Sequence, residues 1–212
     1  MYGQLPAIIR EGIYPDDRDK KEFLSYQYLP IKLAGQYDCV MEERLHGFWL
    51  IIDAALNDFF AFRGHKEYVE SFFVYATIKR RFVSPDCPMN REGYHSDGFG
   101  TEDINYVWCD KFPTIYNYTP FRLSSDEYLS MQQMEIQADK YKEQKYKENS
   151  LLRLNQYCIH KVAPITYSTV RTFVKISFSR DKYNLLGNSH NYLLDYKWNM
   201  KPRKLDRNIP CQ

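Results

Sequence analysis

Period-two alternation of apolar residues in several short segments, one long segment at helical spacing near the N-terminus, and a polar segment at helical spacing in mid-chain predict a mainly β protein with flanking helices. Many short strands beside one long helix point to a double-stranded β-helix, a jelly-roll of the cupin kind, with a long N-terminal helix and a helical insertion. At 212 residues the chain reads as a single domain over 1–212, long enough to bury a substantial core.

Residues 1–37 are rich in Pro, Gly and Tyr and hold no sustained period, which predicts loops and short strands wrapping the body. From Val40 to Phe62, the residues Leu45, Phe48, Trp49, Ile52, Leu56, Phe59 and Phe60 recur at helical spacing, with Gly64 as the stop. The period then falls to two: Phe72, Val74, Ala76 and Ile78 alternate with Phe73, Tyr75, Thr77 and Lys79, a strand. The turn-rich SPDCPMNREG delivers the chain to Tyr94-His95-Ser96-Asp97. Thr101 to Cys109 reads as a strand and Thr114 to Tyr118 as a short one.

Over 124–147 a narrow stripe of Tyr128, Met131, Met134, Ala138 and Tyr141 predicts a solvated helical insertion, capped by Ser124 or Ser125. Its charges make a wet helix face or, on the sharper reading, a lid. Strand patterns return at Ser150–Ile159 and Val170–Ser179, around a loop at Ala163-Pro164-Ile165-Thr166. The tail from Gly187 is rich in Tyr and Asn and then turns basic.

A net charge of +2 supplies no bulk attraction for nucleic acid or anionic membrane. The longest apolar runs, such as Phe48 to Ile52, are far too short to span a bilayer, and MYGQLPAIIREG lacks the pattern of a secretory signal. No membrane association is expected. Five scattered cysteines (Cys39, Cys87, Cys109, Cys158, Cys211), odd in number and without CxxC spacing, argue against a disulfide framework or zinc ribbon and favour a reducing, cytoplasmic setting.

The chemistry gathers in a small ordered set. In a strand, residues two apart share a face, so His95 and Asp97 present an imidazole and a carboxylate together. His160 must arrive from another strand. Two histidines and one carboxylate are the ligands of a facial iron(II) site with open positions. Arg171 follows His160 by 11 residues at the head of an apolar strand, and a guanidinium there can grip a carboxylate through two parallel hydrogen bonds. His190, followed by Arg203, is the competing distal ligand, though no apolar strand carries that arginine. His46 and His65 read as packing or surface residues.

This set, within GYHSDGFG, LLRLNQYCIHKVAP and VRTFVKISFS, resembles the iron(II)- and 2-oxoglutarate-dependent oxygenase superfamily over about 70–180. The resemblance implies that His95, Asp97 and His160 bind Fe(II) and that Arg171 holds the distal carboxylate of 2-oxoglutarate. The keto acid end of the co-substrate would chelate the metal and leave a position for dioxygen. A substrate C–H bond would be hydroxylated, with release of succinate and CO2. One departure stands out. Relatives often carry Ser or Thr two residues after the arginine, where this chain has Phe173, so a second carboxylate contact is expected from Tyr75 or Tyr106. Lys175, on the same strand face as Arg171, is an alternative anchor.

The compact, Tyr/Asn/Lys-rich style is similar to small oxygenases of bacteriophage genomes, which implies a cytoplasmic location, the host cytoplasm if the chain is phage-encoded. Two basic stretches, Ile78 to Arg81 and Lys197 to Lys204, read as solvated edges or as a polyanion surface. The helical insertion and the basic tail slightly favour a macromolecular substrate, protein or nucleic acid, over a metabolite. Two readings compete: a catalytically inactive jelly-roll binding or structural protein, and a metal-dependent cupin enzyme that ignores 2-oxoglutarate.

Overall fold

The structure is a computed structural model that describes residues 1–16, 22–89 and 92–203. Among these, nine strands form two antiparallel sheets, so the mainly β expectation holds. The large sheet runs in the order β1 (Ala7–Arg10), β7 (Leu151–Leu154), β4 (Ile104–Cys109), β9 (Thr169–Ser179), β3 (Phe73–Val83) and β2 (Leu24–Lys32). The small sheet runs β6 (Glu143–Gln144), β5 (Ile115–Asn117), β8 (Ile159–Lys161).

The central pair β3 and β9 stays in register from Phe73↔Ser179 to Val83↔Thr169. Side chains alternate across the sheet, so this register sorts the residues into two sets. Val74, Ala76, Ile78, Ile104, Tyr106, Trp108, Val174, Ile176 and Phe178 face a helical layer. Thr77, Lys79, Val107, Phe173 and Lys175 face the other way and line a cavity.

The helical layer is α1 (Trp49–Arg63), entered through a 3-10 segment Glu43–Phe48, followed by α2 (His65–Ser71). Ile51, Ile52, Ala55, Leu56 and Phe59 form its buried stripe, and the Phe59 ring stacks on Phe178 at 4.0 Å. Each of the isoleucine, leucine and phenylalanine side chains contributes about 1.5–3 kcal/mol by burial. Glu43–Arg63 is apolar and long enough to cross a membrane by length and composition alone. Leu45, Phe48, Ile51, Ile52, Ala55 and Phe59 are fully buried inside the protein, however, and that burial accounts for the composition. Gly64 ends the helix at φ 85°, a backbone region open to glycine, and its N–H bonds the Phe60 carbonyl.

Several expectations change. The segment 1–37 contains a nine-residue edge strand, β2, with Pro30 inside it and register breaks between Tyr26 and Leu29 and between Pro30 and Lys32. Proline and bulges are tolerated at an edge, where one row of backbone groups has no ladder partner. The expected strand 150–159 is two strands in different sheets. The chain turns at Asn155, whose side chain accepts from Tyr157 N and whose carbonyl accepts from Cys158 N. The helical insertion is shorter: α3 (Glu127–Gln137) ends at Ala138, and Asp126 caps its start by accepting from Leu129 N. Beyond it, Thr119 Oγ1 accepts from Asp139 N and Asn117 donates to the Asp139 carbonyl, which pulls the chain off the helical path and into β6. Of the expected stripe only Met134 is fully buried, and Tyr141 is exposed. Cys39, Cys109 and Cys158 carry free thiols, while Cys87 is disulfide-bonded, against the reading from cysteine count. Cys211 and Lys204 lie outside the described residues.

Lys32 is fully buried, and its ammonium donates to the carbonyls of Tyr68 (2.8 Å) and Phe72 (2.6 Å) at the end of α2. Burial pushes its pKa down to about 8. Lys32→Met leaves both carbonyls without this donor, and chemical denaturation is expected to show a loss of about 1–3 kcal/mol.

Candidate metal centre

His95 and His160 face each other as an antiparallel pair that exchanges two backbone hydrogen bonds, each 2.9 Å. Residues in such a pair project their side chains on the same side, and the two rings meet with centroids 4.5 Å apart. The His95 segment thereby extends the small sheet beyond β8. Asp97 follows in a turn closed by Gly98, whose carbonyl accepts from Thr101 N and Oγ1. Gly98 has φ 70°, and a Cβ there would meet Asp103 Cβ at 2.9 Å. Ser96 donates to the Gln156 carbonyl and pins this loop to the β7–β8 turn.

The outcome is a triad. One ligating atom from each of His95, Asp97 and His160 lies within 4.8 Å of the others. His95 Nδ1 is 3.0 Å from the Gly93 carbonyl and His160 Nδ1 is 3.0 Å from the Cys158 carbonyl. A carbonyl only accepts, so both Nδ1 atoms carry the proton, which makes Nε2 the unprotonated nitrogen of each neutral ring, the form a metal requires. Burial holds the His160 pKa below its ordinary value, despite the nearby Asp97, and favours the neutral ring. For Asp97, burial alone raises the pKa, but the Lys175 ammonium, by its charge and its hydrogen bond, leads the opposing causes and holds the carboxyl well below the usual range. Two neutral imidazoles and an ionised carboxylate converging on one point suit a divalent first-row metal.

Lys175 Nζ lies 3.1 Å from Asp97 Oδ2 and 3.1 Å from the Tyr28 hydroxyl. Burial lowers the pKa of this lysine, and Asp97 and Tyr28 more than restore it, so it stays charged. Tyr28 sits at φ 48° beside the β2 register break. Such a backbone is costly for a tyrosine and persists because its N–H bonds Thr77 Oγ1 at 3.0 Å and its ring packs edge-on against Tyr183. The bulge aims the phenol at Lys175.

The triad opens into a cavity of about 130 Å³ between the sheets, lined also by Gln27, Val107, Thr114, Lys161, Val162 and Phe173. Lys79 enters it from β3, and burial, with the charges of Lys175, Arg81, Arg171 and Arg203, pushes its pKa down to about 8.

The other expected residues lie elsewhere. Arg171 is fully buried but does not line the cavity; its Nε donates to the Lys111 carbonyl (2.8 Å) and a terminal nitrogen to that of Phe112 (3.0 Å). Tyr106 points to the opposite face of the large sheet, where its hydroxyl donates to Asp58 on α1 at 2.7 Å. Tyr75 shares the cavity register but stacks on Tyr183 and donates to the Asp181 carbonyl at 2.9 Å. His190 is exposed and packs on Tyr192 and Tyr196, outside the cluster. Sequence reasoning passed over Tyr28, Thr77, Thr114 and Lys79. For Lys79 a signal existed, because it falls in the same alternating register as Thr77 in a strand otherwise fit for burial.

No family model matches this chain, and no curated protein matches it. Among solved structures, AviO1 from Streptomyces viridochromogenes Tue57 is similar at 12% identity and a TM-score of 0.43, covering 76% of this chain and 76% of that one. EvdO2 from Micromonospora carbonacea var. aurantiaca is similar at 12% identity and a TM-score of 0.41, covering 81% of this chain and 76% of that one. Likeness at this level carries no argument about the present site.

The triad gives a direct expectation for metal binding. Titration of the apo protein with Mn(II), followed by paramagnetic resonance, is expected to show one site per chain. His160→Ala and Asp97→Asn should weaken it at least a hundredfold, and His190→Ala should leave it unchanged.

Proposed function

We propose that the protein is a non-haem Fe(II)- and 2-oxoglutarate-dependent dioxygenase that hydroxylates a substrate C–H bond, built on a double-stranded β-helix. The observation that carries this reading is the convergence of His95, Asp97 and His160 in a cavity also lined by Lys79 and Lys175. The jelly-roll reading is supported by two facing antiparallel sheets and by a chain that leaves the large sheet after β7 to supply β8 of the small one.

In this reading His95 Nε2, His160 Nε2 and an Asp97 oxygen would hold the metal. The carbonyls of Gly93 and Cys158 keep the two rings in the right tautomer and orientation. Lys175 fixes the Asp97 carboxylate and keeps it ionised. Val107, Val162 and Phe173 supply apolar walls that limit water at the reacting centre. Bound iron and 2-oxoglutarate would supply the oxygen activation and C–H hydroxylation, with succinate and CO2 as co-products.

The substrate is proposed as a macromolecule, protein or nucleic acid. Of the features that favoured one, α3 contributes none of the cavity lining, while Arg203 of the basic tail lies close enough to Lys79 to lower its pKa. Host-cytoplasmic location is part of the same proposal. The second reading, an inactive binding protein, rests on the Lys175–Asp97 pair, in which an ammonium already satisfies the carboxylate.

Anaerobic titration with ferrous iron and 2-oxoglutarate separates the two. A visible charge-transfer band that needs both components, and that His160→Ala abolishes, is expected for the oxygenase. No band and no iron retained would leave the binding protein as the better account.

A further inference from the structure

Three lysines line the cavity, and two of them are already neutralised. Lys175 pairs with Asp97 at 3.1 Å, and Lys161 pairs with Glu143 at 2.6 Å. Lys79 is 9% exposed and has no acidic partner or hydrogen-bond acceptor among the described residues. A buried ammonium in that condition is costly unless an anion arrives. The depressed pKa of Lys79, caused by burial and by a ring of other cations, is the mark of the same deficit. The Thr114 hydroxyl also lines the cavity with no hydrogen-bond partner among the described residues, a ready second donor.

Strand register gives the distance over which an occupant must reach. Thr77 pairs with Lys175, and Lys79 pairs with Phe173 one alternation further along the same face. Two residues of strand advance about 6.6 Å, a length suited to a four- or five-carbon diacid with one end at the triad. Arg171 is a further alternation away, opposite Arg81, with its guanidinium 5.6 Å from the Phe173 ring and tied to two backbone carbonyls; its Nη1 is buried without a partner, but the residue does not line the cavity. Phe173 therefore stands between the triad and that arginine along β9.

We infer that Lys79, and not Arg171, grips the far carboxylate of a short diacid whose other end reaches the metal triad, an assignment that rests on reading the cavity as a metal and 2-oxoglutarate site. Arg171 then serves the fold by closing the Lys111–Phe112 turn. The bond formed is a charge-assisted hydrogen bond of ammonium to carboxylate, with Thr114 beside it.

Calorimetric titration of the Mn(II)-loaded full chain with 2-oxoglutarate tests this without turnover. Lys79→Met is expected to keep the Mn(II) affinity of the parent and to bind 2-oxoglutarate at least tenfold more weakly. Lys79→Arg should recover most of that loss, which a merely structural role for the side chain would not produce. Arg171→Met should stay within threefold of the parent for 2-oxoglutarate, its cost falling on thermal stability. If Lys79→Met fails to fold by circular dichroism, Lys79→Gln serves in its place, and the lysine variants decide alone if Arg171→Met fails. A tenfold loss in Arg171→Met with none in Lys79→Met overturns the assignment and leaves the metal and diacid reading standing. A parent chain that holds Mn(II) but no 2-oxoglutarate, or neither, overturns that reading and the Lys79 assignment with it.

Discussion

The mutual backbone pairing of His95 and His160 is the constraint on which the site depends. It fixes two imidazoles side by side before any ligand enters, and it does so with main-chain groups that no substitution short of proline removes. The same contact joins the small sheet to the loop that carries Asp97, so the triad and the sandwich are one construction. Ser96 and Gln156 repeat the tie on the far side of the turn. Each ring is then rotated by a carbonyl two residues before it in sequence, Gly93 for His95 and Cys158 for His160. The orientation of both donors is thus local, short-range and independent of the cavity's contents.

On the large sheet, one alternation of side chains serves two opposing needs. The register that carries Val74, Ala76, Ile78, Val174, Ile176 and Phe178 is apolar and binds the helical layer. The register between those residues carries Thr77, Lys79, Phe173 and Lys175 and is chemical. A slip of one residue between β3 and β9 would put lysines into the core and valines into the cavity, so pairing register and function are protected by the same energy. The cost of the arrangement is a set of buried cations. Asp97 and Glu143 answer two of them, backbone carbonyls answer Lys32 and two of the three Arg171 nitrogens, and Lys79 and Arg171 Nη1 are left over.

Much of this was legible from the amino-acid order. The long apolar segment before Gly64, the β3 alternation and the Val170–Ser179 strand all follow from periodicity, because each buries one face against a continuous layer. The grouping of His95, Asp97 and His160 was legible as an ordered set. What was hidden depends on partners distant in sequence. Nothing local tells that Asn155 turns the chain from one sheet into the other, or that Thr119 and Asn117 capture Asp139 and stop α3 early. The strand β2 was obscured because Pro30 and two register breaks erase its alternation, which an edge position permits. Tyr106 was misjudged by one residue of parity: Val107 faces the cavity, and its neighbour necessarily faces Asp58. Arg171 was placed by its spacing and by the family resemblance, and both are silent on the two carbonyls that hold it.

The irregular edge of the large sheet has a further effect. Along β2, Gln27 exchanges bonds with Ser189, Asn191 donates to the Pro30 carbonyl, and Val40 N donates to the Ile31 carbonyl. The opposite edge, β1, is four residues long with its own register break. A foreign strand offered to either side finds few free backbone groups in sequence, which closes the common route by which sheets recruit one another into aggregates. The tail from residue 189 is in this respect a seam, holding the sheet's rim shut and keeping a tyrosine- and lysine-rich chain from pairing with its copies.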